Sequence, residues 1–256
     1  MVVSMGSFTL QILSDLHLEV QRGQNPLYEF EIPNATDNLA LIGDIGWTQD
    51  ERLFSWIRDL NVSRIETFSK QIQHERASSS SALGEFIFLN RTRYDLPDPN
   101  SNLTILGCTL WSSLNQDDLD ILSWSLTDFK RISSFTPATY AELHKQDLSF
   151  LKEEIRHIRT HEPERRILVL THHAPTIEGT SDPKFHSNGS EDPMKSAFAT
   201  EFSEDPSVWG KPVVMWAFGH THWNCDFVRN DVRVYSNQRG YKDESPGFDA
   251  AKVVTI

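Results

Sequence analysis

Cysteine is scarce in this chain: Cys108 and Cys225 are its only two. So few thiols give no disulfide framework, and a reducing, cytoplasmic compartment fits best. Both sit in apolar, strand-like surroundings and are expected to be core residues. Basic charge is in deficit as well, with 24 Lys and Arg against 36 Asp and Glu and a formal net charge of −12. That balance argues against a general affinity for nucleic acid or anionic membranes. It does not exclude a phosphorylated ligand, because bound cations invert a local potential. Hydrophobic runs are short, and none approaches membrane-spanning length. The opening stretch MVVSMGSFTLQIL has neither a basic n-region nor a small-residue cleavage site, so it reads as a first strand rather than a signal peptide. Internal repeats and inter-domain linkers are also missing.

What is present is enough for one sizeable core. The chain has 256 residues, 38% of them hydrophobic, with seven tryptophans, and it reads as a single α/β domain over 1–256. Strands are expected over 8–13, 39–46, 85–89, 103–110, 166–170, 213–218, 225–228, 232–235 and 252–255. From Thr48 the pattern turns helical, with Leu53, Phe54, Ile57 and Leu60 on one face. A second helix starts at Thr136, a candidate N-cap, with Pro137 in the first turn. The serine run at 78–81 and the Gly-, Ser- and Pro-rich stretch 176–195 read as flexible loops (about 74–84 and 176–195), the second a rim over a site. Residues 115–136 show no clean period.

Four of the apolar strands end in polar clusters: Asp15 and His17, Gly43 and Asp44, His172 and His173, and His220 and His222. In extended backbone, residues i and i+2 leave the same face, so Asp15/His17 and His220/His222 can each converge on one point. Strand ends are also where open α/β sheets place their chemistry. Singly, each cluster has a plain structural account, as a helix N-cap or a hydrogen-bonded core histidine. Together they supply mixed carboxylate and imidazole donors, which suit divalent Mn, Fe or Zn rather than calcium or thiolate-bound zinc. A carboxylate able to bridge suggests two ions ~3.5–4 Å apart.

In the order D-x-H (Asp15, His17), G-D (Gly43, Asp44), H-H-x-P (His172 to Pro175) and G-H-T-H (Gly219 to His222), the chain resembles the calcineurin-like metallophosphoesterases. SDLHLE, THHAP, FGHTH and NQRGY look most like the small cytosolic branch labelled "Ser/Thr phosphatase family". The resemblance implies a four-layer αββα sandwich, two mixed β-sheets flanked by helices. It implies that Asp15, His17 and His222 hold one divalent metal, that Asp44 bridges, and that His172 and His220 hold the second. His173 would stand behind the ligands, hydrogen-bonded to a carboxylate, and His173, Asn237 and Arg239 are candidates for substrate contact. Asp44, His172 and His220 would serve catalysis, in which a dimetal-bridging hydroxide attacks phosphorus.

One motif of that family is missing. Between Asp44 and Glu85, where G-N-H followed by an acidic residue belongs, the chain offers Asn61, His74 and serines. The helical pattern runs on past Asn61 and Val62 as though a strand and its ligand loop had been removed. The chain is then a shortened form of an active parent or a diverged member. Loss of a general acid alone costs ~10²–10⁴-fold in rate. The expected function is a metal-dependent hydrolysis of phosphate mono- or diesters of small molecules, with reduced activity. The alternative is a catalytically inactive scaffold of the same fold, the one case that calls for a protein partner.

Overall fold

The computed structural model describes residues 7–23, 26–59, 85–98, 101–185, 192–241 and 245–256. Two sheets form its centre. Strand β1 (Thr9–Leu13) pairs in parallel with β2 (Leu39–Leu41) and antiparallel with β9 (Val253–Thr255), giving a three-stranded sheet in the order β2-β1-β9. The larger sheet runs β3 (Thr92–Asp95), β4 (Leu103–Cys108), β5 (Arg166–Thr171), β6 (Val213–Phe218), β8 (Val232–Ser236) and β7 (Cys225–Arg229). Its four inner strands are parallel, and β3 and β7 close it as antiparallel edges.

The period-2 alternation of these strands decides which residue meets which layer. Leu10 and Ile12 of β1 face Ile105, Leu168, Leu170, Met215, Ala217 and Tyr235 of the large sheet, so one apolar layer is sealed between the sheets. The intervening residues Leu106, Val169, Trp216 and Val234 face the other way. There they pack on Leu151, Ile155 and Ile158 of the long helix α4 (Pro137–His161). Thr136 caps that helix, its hydroxyl accepting from the Thr139 amide at 3.2 Å. On the outer face of the small sheet Leu13 packs with Leu53 and Trp56 of α1 (Glu51–Asp59). Helix, sheet, sheet and helix are therefore stacked in four layers, the α/β sandwich of two mixed sheets expected from the motifs.

Several boundaries differ from the sequence expectation, each for a local reason. β2 stops at Leu41 instead of running to residue 46, because Gly43 (φ 109°) and Asp44 (φ 47°) leave the extended region. Residues 85–89 form no strand. The edge strand is Thr92–Asp95, whose Tyr94 packs on the inter-sheet core. Its Arg93 turns outward to Glu162 and Asp95. Leu89 instead packs against Gly107, where any Cβ would collide with its side chain. The ambiguous segment 115–136 contains two short helices, α2 (Leu119–Ser125) and α3 (Asp128–Arg131). Cys108 is buried and Cys225 half-buried, and burial raises both thiols, Cys225 to about 11. Asn61, Val62, His74 and the serine run lie outside the described residues. Among the described residues, no helix is long and apolar enough to cross a membrane.

Leu151 is fully buried where α4 meets the large sheet. Leu151→Ala is expected to lower unfolding stability by about 2–5 kcal/mol, read from chemical denaturation, through lost burial and the cavity left behind. A change under about 0.5 kcal/mol, the level of an exposed site, would contradict this packing.

Candidate metal centre

The C-terminal ends of β1, β2, β5 and β6 open on one edge of the sandwich, and each delivers one of the polar clusters. An isolated bridge between Ser14 and Gln238 ties the two sheets together there. Main-chain bonds then fix the loops to one another. The Asp15 amide donates to Gly43 O at 3.0 Å, His17 to Asp44 O at 2.9 Å, and Gly219 to His172 O at 2.9 Å. This lacing brings together two groups of three, Asp15/His17/His222 and Asp44/His172/His220, each with donor atoms within 4.8 Å of one another.

Asp15 is buried completely and Asp44 opens to solvent at the mouth. Asp15 accepts the His220 amide with both oxygens, at 3.1 and 2.9 Å, and lies 3.2 Å from His222 Nε2. Asp44 Oδ2 is 3.8 Å from His17 Nε2 and 3.6 Å from His172 Nε2, so one carboxylate oxygen reaches a ring nitrogen of each group. Burial alone would raise both carboxyl pKa values. The hydrogen bond to His222 on Asp15, and the charge of His172 on both, outweigh it and hold the two acids below the usual carboxylate range. Burial likewise opposes charge on His172, but Asp44 raises that imidazole to about 9. His220, buried and beside His172, falls to about 4.

Two of the histidines, His172 and His17, have one ring nitrogen tied back. His172 Nδ1 donates to Ile42 O at 3.1 Å, leaving Nε2 aimed at Asp44. His17 Nδ1 lies 3.0 Å from the Glu19 carboxylate, which selects the Nδ1–H tautomer and turns the Nε2 lone pair into the cluster. That Nε2 stands 3.1 Å from His222 Nε2. His220 Nε2 is buried without a partner. These donors fit a divalent cation in each group. Backbone strain is concentrated on the same residues. Asp15, His17, Asp44, His220 and His222 all have positive φ, between 45° and 72°, a conformation costing on the order of 1–3 kcal/mol per residue.

Other residues singled out in the sequence lie differently. His173 has no carboxylate partner: its Nδ1 is buried and unpaired, and its ring packs 4.2 Å from His220 and 5.6 Å from Trp111. Asn237 is buried with its amide spent on Ile12 O and Asp249 O and its oxygen on the Asp249 amide. It ties β8 to β1 and has no donor left for a substrate. The Arg239 guanidinium lies 4.1 Å over the Phe30 ring.

Sequence reasoning passed over Glu19, although it stands two residues after His17. It also passed over Gln238, which accepts the His222 amide at 2.6 Å, and Tyr241, which stacks on His17 at 4.0 Å. Only the Glu19 spacing carried a readable signal.

No known family profile matches the chain. The uncharacterized protein L509 of Acanthamoeba polyphaga mimivirus is 24% identical over 282 residues, covering 96% of each chain. The crystal structure of phosphopantetheinyl hydrolase (PptH) from Mycobacterium tuberculosis is similar with a TM-score of 0.58 and 14% identity, over 97% of this chain and 95% of that one. A putative 5′-nucleotidase from Staphylococcus aureus is more distant, with a TM-score of 0.36 and 10% identity over 93% of this chain and 49% of that one. The likeness to the hydrolase is one of fold, extending across nearly the whole of both chains.

Two outcomes test the centre. Gly43 has φ 109°, and an added Cβ would strike the His172 ring. Gly43→Ala is expected to displace that ring and to weaken Mn²⁺ binding by about 10–100-fold by calorimetry. Unchanged binding would refute the packing. A proton on His172, raised to about 9, also competes with any cation for Nε2. The ring is charged below that value in the metal-free chain, so affinity should climb from pH 7 to pH 9, with protons released on loading. Affinity flat over that window, with no proton release, would show that His172 does not ligate.

Proposed function

We propose that this protein is a metal-dependent phosphoesterase, hydrolysing mono- or diesters of phosphate in small molecules at the edge where the two donor groups meet. The observation that carries the reading is Asp44 Oδ2, within 4 Å of a ring nitrogen from each group, which makes two adjacent sites out of six side chains. The fold shared with a solved phosphopantetheinyl hydrolase supports it. Asp15, His17 and His222 would hold one divalent ion, and Asp44, His172 and His220 the other, with Mn, Fe or Zn compatible with the donor set. When bound, such ions acidify water and neutralise phosphoryl oxygens.

The chain itself performs the remaining work. Glu19 fixes the tautomer of His17, and Ile42 O that of His172, so that neither ring must reorganise during reaction. Buried Asp15 keeps the His220 loop in place through its two bonds to the His220 amide. His173, held well below its usual pKa by burial and then by His220, stays neutral and adds no charge behind the centre.

A catalytically inactive binding protein of the same fold is the second reading, favoured by the lack of a G-N-H motif between Asp44 and Glu85. Elemental analysis after Mn²⁺ loading, together with hydrolysis of mono- and bis-nitrophenyl phosphate, separates the two. The expected outcome is close to two ions per chain, with turnover that falls more than about 10²-fold in Asp44→Asn. One ion or none, without turnover, would leave the binding protein.

A further inference from the structure

We propose that Arg131, the last residue of α3, receives the phosphoryl group of the substrate at the mouth of the centre, and that it favours monoesters over diesters. The inference rests on the hydrolytic reading above and adds the residue that selects the ester.

Arg131 is exposed, and its guanidinium carbon lies 5.3 Å over the indole of Trp47, three residues beyond Asp44 on the same loop. Its charge reaches the Tyr241 hydroxyl, and Tyr241 stacks on His17 at 4.0 Å and stands edge-on to His222 at 4.6 Å. It also reaches Asp128, one turn earlier on α3, which in turn lies within the fields of Asp44 and His172. The side chain thus lies against the loop that carries Asp44 and within electrostatic reach of Tyr241. Stacking on an indole holds the plane of a guanidinium while leaving its N–H edges free to fork onto an oxyanion.

The neighbouring cations are committed elsewhere. Arg22 donates to Leu16 O and Gly240 O, Arg239 lies over Phe30, and Lys130 lies over Trp124. Arg131 has no ion pair among the described residues. Asp44 opens at this mouth, in a chain of net charge −12. A fixed cation there adds to the attraction of an approaching phosphate.

The preference for monoesters follows from counting oxygens. A phosphomonoester has three terminal oxygens and carries two charges, so one oxygen is left for the arginine when two are taken by cations. A diester has only two terminal oxygens and one charge.

Binding of inorganic phosphate to the Mn²⁺-loaded full chain is measured by calorimetry for the wild type, Arg131→Gln and Arg131→Lys, with metal content and far-UV dichroism as controls. Alongside, KM and kcat are taken for mono- and bis-nitrophenyl phosphate. Arg131→Gln is expected to weaken phosphate binding and raise KM for the monoester by about 10–100-fold, the range of a charge-assisted hydrogen bond. In that variant kcat stays within about threefold, and the diester is affected less than about threefold. Arg131→Lys should fall between, keeping the charge and losing the fork. Arg131→Gln binding phosphate as the wild type does would overturn the proposal while leaving the hydrolytic reading intact. Arg131-dependent phosphate binding without turnover would keep the anion site and sink the hydrolytic reading. A wild type that binds no phosphate would overturn the proposal, and equal losses for both esters would overturn the monoester preference.

Discussion

Two carboxylates set among four imidazoles at the shared edge of two sheets are the constraint around which this molecule is built. Asp15 is wholly buried, and such a charge is costly unless it is paired and hydrogen-bonded. It is compensated by two bonds from the His220 amide and by His222, while Asp44 is compensated by His172. Those bonds demand that β1, β2, β5 and β6 end at one level, and the sheet registers deliver it. Two ionised carboxylates here hold a proton on His172, the form expected of a site that exchanges protons for cations.

Backbone strain has the same address. Positive φ at five candidate ligands would be a poor use of stability in a merely structural edge. Here it turns side chains from consecutive strand ends inward, and the apolar layers on either side of the large sheet hold it in place. Gly43 shows the tolerance involved: its missing Cβ is the room in which the His172 ring sits. Glu19, Gln238 and Tyr241 form a further shell, bonding to or stacking on His17 and His222. His17 and His222 are thus oriented by the chain itself.

Much of the fold was legible because its strands are buried on both faces and its long helix carries a Thr-Pro cap, signals that depend on near neighbours alone. The strand expected at 85–89 failed for the opposite reason. An apolar run such as Phe86 to Leu89 packs equally well as a loop, whereas the real edge strand, Thr92–Asp95, is polar on its outer side and pairs through contacts with Glu162 and β4. Asn237 and Arg239 followed the same logic. Their spacing from the histidine motif was readable, but Asn237's burial between β1 and β8 and Arg239's stacking on Phe30 were not.

The sequence by itself determined the donor chemistry. Carboxylates and imidazoles at strand ends, few thiols and a glycine before each of two ligand loops are local facts that any fold must respect. Tertiary structure alone decided the grouping, with Asp15 and His17 meeting His222 more than 200 residues away, and Asp44 placed between both groups. The physical reason is the range of the interactions: helix periodicity and caps act over a few residues, while the packing of two sheets sets which distant ends become neighbours.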